Sequence, residues 1–426
     1  MECLALRPQP LGLFPHQAAH LLLPSIDEEC DGDMMKRAHV VILRGSLDVE
    51  LPTAWEFFRY AAEGDNERAL MALKSSAGPW TSLHRYNAWV LDPSLEGYQS
   101  CKEHCQGALA ELCDAFAYAQ GFTDALSPEK HCDGELQAWY RATMASQEWE
   151  QQNLSGARQR LKEAIQASEA TSPLLASMLL AQSAEIGQAI PGFAVALIVQ
   201  DWKDAIRMTE KSGHRAMLGE LWMKLGMALQ NASHGQRGLL LEAISAYQNA
   251  LYQGIDKDSD PELFAMIQNN LGLAYLAMPQ GEASHQLRSG IALQSFRYAL
   301  EVYDRESQPE MWATVSMNLA NAMQYLPSSH PEQNLIQAVE VYESILEIRT
   351  KERDAVAYAL VLLNQSNALA HLGIFRPALE KVSEAYKLFQ WYDQAEQATA
   401  ARELLEQIHE RIGESKAVRG ESCGTA

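Results

Sequence analysis

One spacing recurs along the chain and limits what it can fold into. Ala243, Tyr247 and Ala250 stand four and three residues apart. The same gaps separate Ala292, Phe296 and Ala299, then Ala338, Tyr342 and Ile345, then Ala378, Val382 and Ala385, and earlier Ala157, Leu161 and Ala164. Gaps of four and three gather side chains on one face of an α-helix, whereas a strand would need a period of two. A small residue one turn from a large one lets a second helix approach closely while the large side chain fills the groove beside it. A second spacing precedes the first: Trp222, Leu225, Gly226 and Leu229, then Leu271, Gly272 and Tyr275, then Leu319, Ala320 and Met323. Its Gly or Ala marks the place where two helices cross. The two spacings alternate, so the chain predicts helix pairs in series, with crossing alanines 49, 46 and 40 residues apart.

In these residues the chain resembles the tetratricopeptide repeat (TPR), a helix-turn-helix unit that stacks into a right-handed superhelix. Asn364 to Phe389 matches the compact unit best, with Gly373 ending one helix and Ala378 opening the crossing surface of the next. Tyr60 to Leu73 is a second match, with Gly64-Asp65 as its turn and Ala69 at its crossing, and Asp201 to Ile206 is a half-repeat. From Gly226 to Ala243 is 17 residues, from Gly272 to Ala292 is 20 and from Ala320 to Ala338 is 18, where the family's compact unit has about 12. The extra residues, such as Ser233 to Gly238 and Pro279 to Ser289, lengthen helices or form loops. The resemblance implies an all-α, right-handed superhelical solenoid of six or seven helix pairs, capped by a helix from Trp391 to Ile412.

Four segments are expected. Residues 1–50 form an irregular N-terminal arm, rich in Pro and Leu, then acidic from Asp27 to Asp33, then β-prone at His39 to Leu43. Met34-Met35 would serve as an internal start just before that run, which would leave the first thirty-odd residues outside the translated protein. Residues 51–215 are divergent helical repeats, of which 80–135 match the family poorly. Residues 216–412 carry the TPR-like repeats and the capping helix, and 413–426 form a disordered tail.

Composition narrows the partners. With 34 basic against 55 acidic side chains the formal charge is −21, and no Lys/Arg-rich run provides the counter-charge that nucleic acid or an anionic membrane surface needs. Apolar stretches such as Phe193 to Val199 fall well short of the roughly 18 residues that cross a bilayer. The Pro-rich start opposes a signal or transit helix. Seven cysteines, an odd number, argue against a disulfide framework and for a reducing, cytoplasmic setting.

Candidate binding residues come from the resemblance. In that family the residue before the Leu-Gly pair of each first helix points into the concave groove. That position here holds Lys224, Asn270, Asn318 and Asn364, with Arg141 in an earlier unit, and one turn on come Asn321 and Asn367. An asparagine amide both donates and accepts, so it can pair with the backbone of an extended peptide without reading its sequence. Lys224, at one end of the groove in such an arrangement, implies a partner segment with an acidic or carboxylate end. The lysines that complete the family's carboxylate clamp are largely missing, so that specificity is not implied. The alternative is that the amides cross-link neighbouring helices. Five polar contacts supply roughly 2.5 to 7.5 kcal/mol before association costs, short of the roughly 8 that micromolar binding needs. Tyr275, Trp312 and Tyr325 are therefore expected as apolar anchors.

A second constellation is Cys101, Cys105 and Cys113 with His131-Cys132. Cys101 and Cys105 share a helical face, and Cys113 or Cys132 would complete a set for zinc or another soft metal, although buried core cysteine is the plainer reading. No phosphate loop, nucleophile elbow or zinc-protease helix occurs, so neither an enzyme nor a cofactor is expected. The sequence thus favours a scaffold or adaptor that holds a peptide segment of another protein. The alternatives are an assembly or maturation factor for a multi-subunit metalloenzyme, built on the cysteines, or a regulator whose superhelix tightens on its ligand.

Overall fold

A computed structural model describes residues 21–22, 33–43, 49–75, 81–124, 126, 128–170, 173–210, 215–279, 285–326 and 330–421. Its described residues form α-helices, one short 3-10 turn at Thr53–Trp55 and no strand. The chain divides into two compact units, Met1–Ala228 and Leu229–Ala426, later than the change of pattern expected near residue 216.

The first unit holds α1 (Asp33–Leu43), α2 (Glu56–Ala62), α3 (Asn66–Ser75), α4 (Ser82–Leu91), α5 (Leu95–His104), α6 (Ala108–Ala119), α7 (Gly134–Glu150), α8 (Leu154–Ser168), α9 (Pro173–Ala189), α10 (Val195–Thr209) and most of α11 (Arg215–Ser233). The expected pairs are present: α2 packs on α3, α7 on α8 and α9 on α10. Gly64 turns the first pair at φ +81°, a backbone state that side chains resist, and Ala69 is buried at its crossing. Between them α4, α5 and α6 form a departure from pairwise stacking, where the sequence also departs from the repeat. The arm needs correction in two places. His39 to Leu43, read as β-prone, completes the helix α1, and Leu21 and Leu22, read as part of an irregular arm, are buried in the core of this unit. The side chain of buried Asn87 on α4 accepts from the Leu22 N–H and donates to its carbonyl, both at 2.8 Å. An amide that satisfies both polar groups of one residue fixes that residue's backbone as a paired strand would.

The second unit contains the last turn of α11 and α12 (Arg237–Tyr252), α13 (Pro261–Ala277), α14 (His285–Leu300), α15 (Pro309–Gln324), α16 (Pro331–Leu346), α17 (Ala355–His371), α18 (Phe375–Trp391) and α19 (Ala395–Glu421). Here α13 pairs with α14, α15 with α16 and α17 with α18. Each pair packs on the next through α14–α15 and α16–α17, and α19 covers α18 and α17. The first helices also meet one another, α13 with α15, α15 with α17 and α17 with α19, so they make one continuous layer. The capping helix begins later than expected, Trp391 ending α18, and runs through Glu421, so the residues from Gly413 that were expected to be disordered continue it.

The starts of these helices follow from local chemistry. Pro261, Pro309 and Pro331 occupy first-turn positions where the missing N–H costs nothing. Ahead of α13, Asp256 accepts from the N–H groups of Asp258 (2.9 Å) and Ser259 (2.8 Å). Ahead of α15, Asp304 accepts in the same way from Glu306 and Ser307, both at 2.9 Å. α17 instead starts on Asp354, whose carboxylate caps Val356 and Ala357. The basic residue of each turn reaches the next unit: Lys257 pairs with Glu301, Arg305 with Glu347 and Lys351 with Glu384.

Candidate functional site

The layer of first helices in the second unit carries the amides that the sequence singles out. Asn270 on α13, Asn318 and Asn321 on α15, and Asn364 and Asn367 on α17 are all partly exposed, because the preceding or following Leu, Gly or Ala turns into the helix crossing and leaves the amide on the open side. They are not independent of one another. Asn318 donates to Asn269 Oδ1 at 2.9 Å, bridging α15 to α13. Asn269 also donates weakly, at 3.5 Å, to Asn270. Asn367 donates to Gln324 Oε1 and to the Tyr325 hydroxyl, each at 3.0 Å, bridging α17 to α15. Gln324 donates to the Tyr342 hydroxyl at 2.6 Å, and that hydroxyl donates to Asn321. Burial of the Tyr342 ring pushes its phenol well above the usual range, so it stays a donor.

Part of the face therefore knits neighbouring units together, the alternative that the sequence left open. Asn364 differs. Its backbone carbonyl accepts from Gln324 at 3.5 Å, while its side-chain amide makes no hydrogen bond with any described residue and is partly exposed. Of the expected aromatic anchors, Tyr325 stands 59% exposed beside Asn367. Tyr275 is partly exposed and accepts from Gln248 at 3.2 Å, and Trp312 lies under the Arg305 guanidinium at 5.4 Å.

The two basic candidates belong to the first unit, and both have carboxylate partners. Lys224 is bound by Glu185 and, at 3.5 Å, by Glu220. Its burial works to lower its pKa, but the hydrogen bond and charge of Glu185, followed by Glu220, outweigh that and raise it. Arg141 pairs with Glu129 at 3.2 Å. Glu185 also lines an open hollow of about 240 Å³ between α7, α8 and α9, with Trp149, Leu161, Gln182 and Ile186 around it.

The cysteines are partly brought together. Cys101 lies in the last turn of α5, and Cys105 is the residue that ends it, its N–H donating to the Cys101 carbonyl at 2.7 Å. Gly107, at φ +58°, then reverses the chain into α6, which carries Cys113. All three sulfurs lie within 4.8 Å of one another, and all three residues are buried. Hydrogen bonds from Cys101 and Cys113 lower the Cys105 pKa; the bond to Cys105 raises the Cys101 thiol, and bonds to Cys101 and then Cys105, with burial, raise the Cys113 thiol. The Cys105 thiol also faces the Ser82 carbonyl at 3.7 Å. Cys132 is outside it: its thiol donates to the Ala108 carbonyl at 3.7 Å. What sets Cys132 apart is Glu111, a residue that the sequence reading missed. This buried carboxylate on α6 accepts from the N–H groups of Lys130 (2.9 Å), His131 (2.9 Å) and Cys132 (3.0 Å) and meets the His131 ring at 2.7 Å. The signal for it is the pair of acids, Glu111 and Asp114, inside the otherwise apolar run Ala108 to Ala119.

No family model matches the chain, and no curated protein does. Solved structures follow its helices at low identity. One is a Rap protein complexed with competence and sporulation factor, at 13% identity and a TM-score of 0.41, covering 85% of this chain and 98% of the other. Another is aspartyl phosphate phosphatase F from Bacillus subtilis, at 14% and 0.44, covering 91% and 96%. A third is the TPR2AB domain of yeast Sti1 in its pHSP90 complex, at 13% and 0.25, covering 64% and 98%. The deciding observation is internal: a buried Ala recurs in each second helix, Gly272 of α13 receives the Phe296 ring of its pair, and the first helices adjoin in one layer. The fold is tetratricopeptide-like. Among the described residues of this TPR-like chain, no helix is long and apolar enough to cross a membrane.

Proposed function

We propose that this chain is a non-enzymatic protein-interaction scaffold that holds an extended segment of another protein along the first-helix layer of α13, α15 and α17. The observation that carries the reading is the row of partly exposed amides on consecutive first helices, with the Asn364 side chain making no hydrogen bond among the described residues and Tyr325 exposed next to Asn367. Asn364 supplies a donor and an acceptor to a passing peptide bond. Asn270, Asn318, Asn321 and Asn367 add what capacity remains after their mutual bonds. Tyr325 supplies apolar area beside a polar handle, the combination that dominates interface energies.

Lys224 is left out of this face. Its charge is already neutralised by Glu185 and Glu220, so capture of a terminal carboxylate there would first have to break two ion pairs. The partner is accordingly read through its backbone rather than through an acidic end.

The test is capture of partners from native-host extract on the immobilised full chain. Asn364→Ala and Tyr325→Ala are expected to lose the partner that wild type retains, while the circular dichroism spectrum of both and the Tm of Asn364→Ala stay unchanged. Equal retention by wild type and the Asn364→Ala/Tyr325→Ala double variant would overturn the reading.

A further inference from the structure

We propose that Cys101, Cys105 and Cys113 form a binding site for one soft, closed-shell metal ion, Cu(I) or Zn(II), held by three thiolates between the end of α5 and the middle of α6. This inference stands apart from the first-helix face and does not depend on it.

The geometry argues for it in three steps. First, thiolates that share an ion at about 2.3 Å lie about 4 Å apart, and these sulfurs already fall within 4.8 Å of one another. The small closure that remains is available because Cys105 sits in an extended backbone state at the end of α5, not inside a helix. Second, the three side chains converge from different places: Cys101 lies in the last turn of α5, Cys105 just past its end, and Cys113 arrives only because Gly107 folds α6 back. Ordinary core cysteines behave as small hydrophobes and gain nothing from convergence, whereas here three sulfurs meet at one point, with the Ser82 carbonyl 3.7 Å from Cys105 Sγ as the polar neighbour. Third, the pocket is dry and soft. Cys101, Cys105 and Cys113 are 1%, 4% and 0% exposed, and Tyr86, also fully buried, belongs to the same apolar core.

Nearby groups that might have completed or competed for the site are engaged elsewhere. The His104 ring faces the Ser100 carbonyl at 2.8 Å, Asp114 takes Lys102 and the Tyr98 hydroxyl, and Cys132 faces Ala108. A three-sulfur site without oxygen or imidazole selects thiophilic ions over hard ones. Three ligands satisfy Cu(I) outright, while Zn(II) would take a fourth from outside the trio. Each thiol that ligates releases its proton to solvent, so uptake tightens as pH rises. Bound metal would fasten the α5–α6 turn, which lies where the repeat pattern lapses.

The experiment uses the full chain, reduced and purified without chelators or a histidine tag. It is titrated under anaerobic conditions with Cu(I) and, separately, with Zn(II), each against a competing chromophoric chelator. The expected result is one equivalent of at least one ion, and the two arms decide which. Cys132→Ser is expected to keep that equivalent and Cys113→Ser to fall to background. Should Cys113→Ser fail to fold, wild type alone decides the matter through alkylation read by mass spectrometry, at a denaturant concentration where the metal-free thiols react. Bound metal is expected to slow modification of Cys101, Cys105 and Cys113 and to leave Cys132 unchanged. Neither ion taken up stoichiometrically, or uptake that leaves those three thiols as reactive as before, would overturn the proposal.

Discussion

Gly272 of α13 faces the ring of Phe296 of α14 so closely that a Cβ added to it would lie 2.7 Å from the nearest ring carbon and 2.8 and 3.0 Å from the next two. Phe296 is fully buried, so its ring has no room to withdraw. Gly272→Ala gains about 1 kcal/mol of helix propensity, but forcing a methyl into a packed interface costs about 1 to 3 kcal/mol, and the contact distances decide for the clash. The variant is expected to be less stable by urea denaturation, by up to about 2 kcal/mol, and Phe296→Leu in the same chain should recover part of the loss. A Gly272→Ala protein as stable as wild type would show that these two helices cross elsewhere.

Asp354 makes a second test of the repeat architecture. Its carboxylate accepts from both Val356 and Ala357 at the start of α17, in the turn where the other first helices use a Pro. Asp354→Ala is expected to cost about 1 kcal/mol, read as a lower urea midpoint. The ion pair of Lys351 with Glu384 beside it is exposed at both ends, so Lys351→Ala should leave the urea midpoint essentially unchanged. The contrast between the two variants separates capping from surface charge.

Much of the fold could be read ahead because packing repeats leave local marks. Ala243, Ala292, Ala338 and Ala378 are all fully buried, as are their partners Phe296, Tyr342 and Val382: the four-and-three spacing is the helix period meeting a neighbour. Gly373, expected to end a helix, does so at φ +74°. What escaped depends on contacts between residues far apart in sequence. The Asn318 to Asn269 bond joins residues 49 apart, and no local pattern tells an amide that faces a groove from one that faces the next helix. Cys101 and Cys105 were legible as a pair from their spacing, but only the turn at Gly107 decides that Cys113 joins them and Cys132 does not. The Asp256 and Asp304 turns do repeat in sequence, each as Asp, a base, an acid and Ser before a Pro, and were missed because the search followed apolar residues.

Glu111 predicts a pH dependence. Burial works to raise its pKa, but the N–H and side-chain hydrogen bonds of His131, joined by those of Cys132, outweigh burial and hold it below 4.5. A carboxylate whose pKa is lower in the folded state contributes its full stabilisation above the unfolded value and loses it as pH falls through the folded one. Wild type is therefore expected to lose stability below about pH 4.5 more steeply than Glu111→Gln, measured as Tm against pH. At neutral pH the variant should be roughly 2 to 3 kcal/mol weaker, because charged acceptors of several N–H groups are worth that much. Parallel Tm curves for the two proteins would contradict the assignment.

The amide face separates structure from binding through two residues of the same type. Asn318 spans two units through its bond to Asn269, so Asn318→Ala is expected to lower stability by about 0.5 to 1.5 kcal/mol. Asn269→Ala should do the same, and the double variant should lose less than the sum, since both remove one bond. Asn364 makes no such bond, and Asn364→Ala should stay within about 0.5 kcal/mol of wild type. Urea denaturation of the four proteins checks all of this before any partner is known. A destabilised Asn364→Ala would mean that this amide also ties units together, and the binding face would then have to be sought away from the first helices.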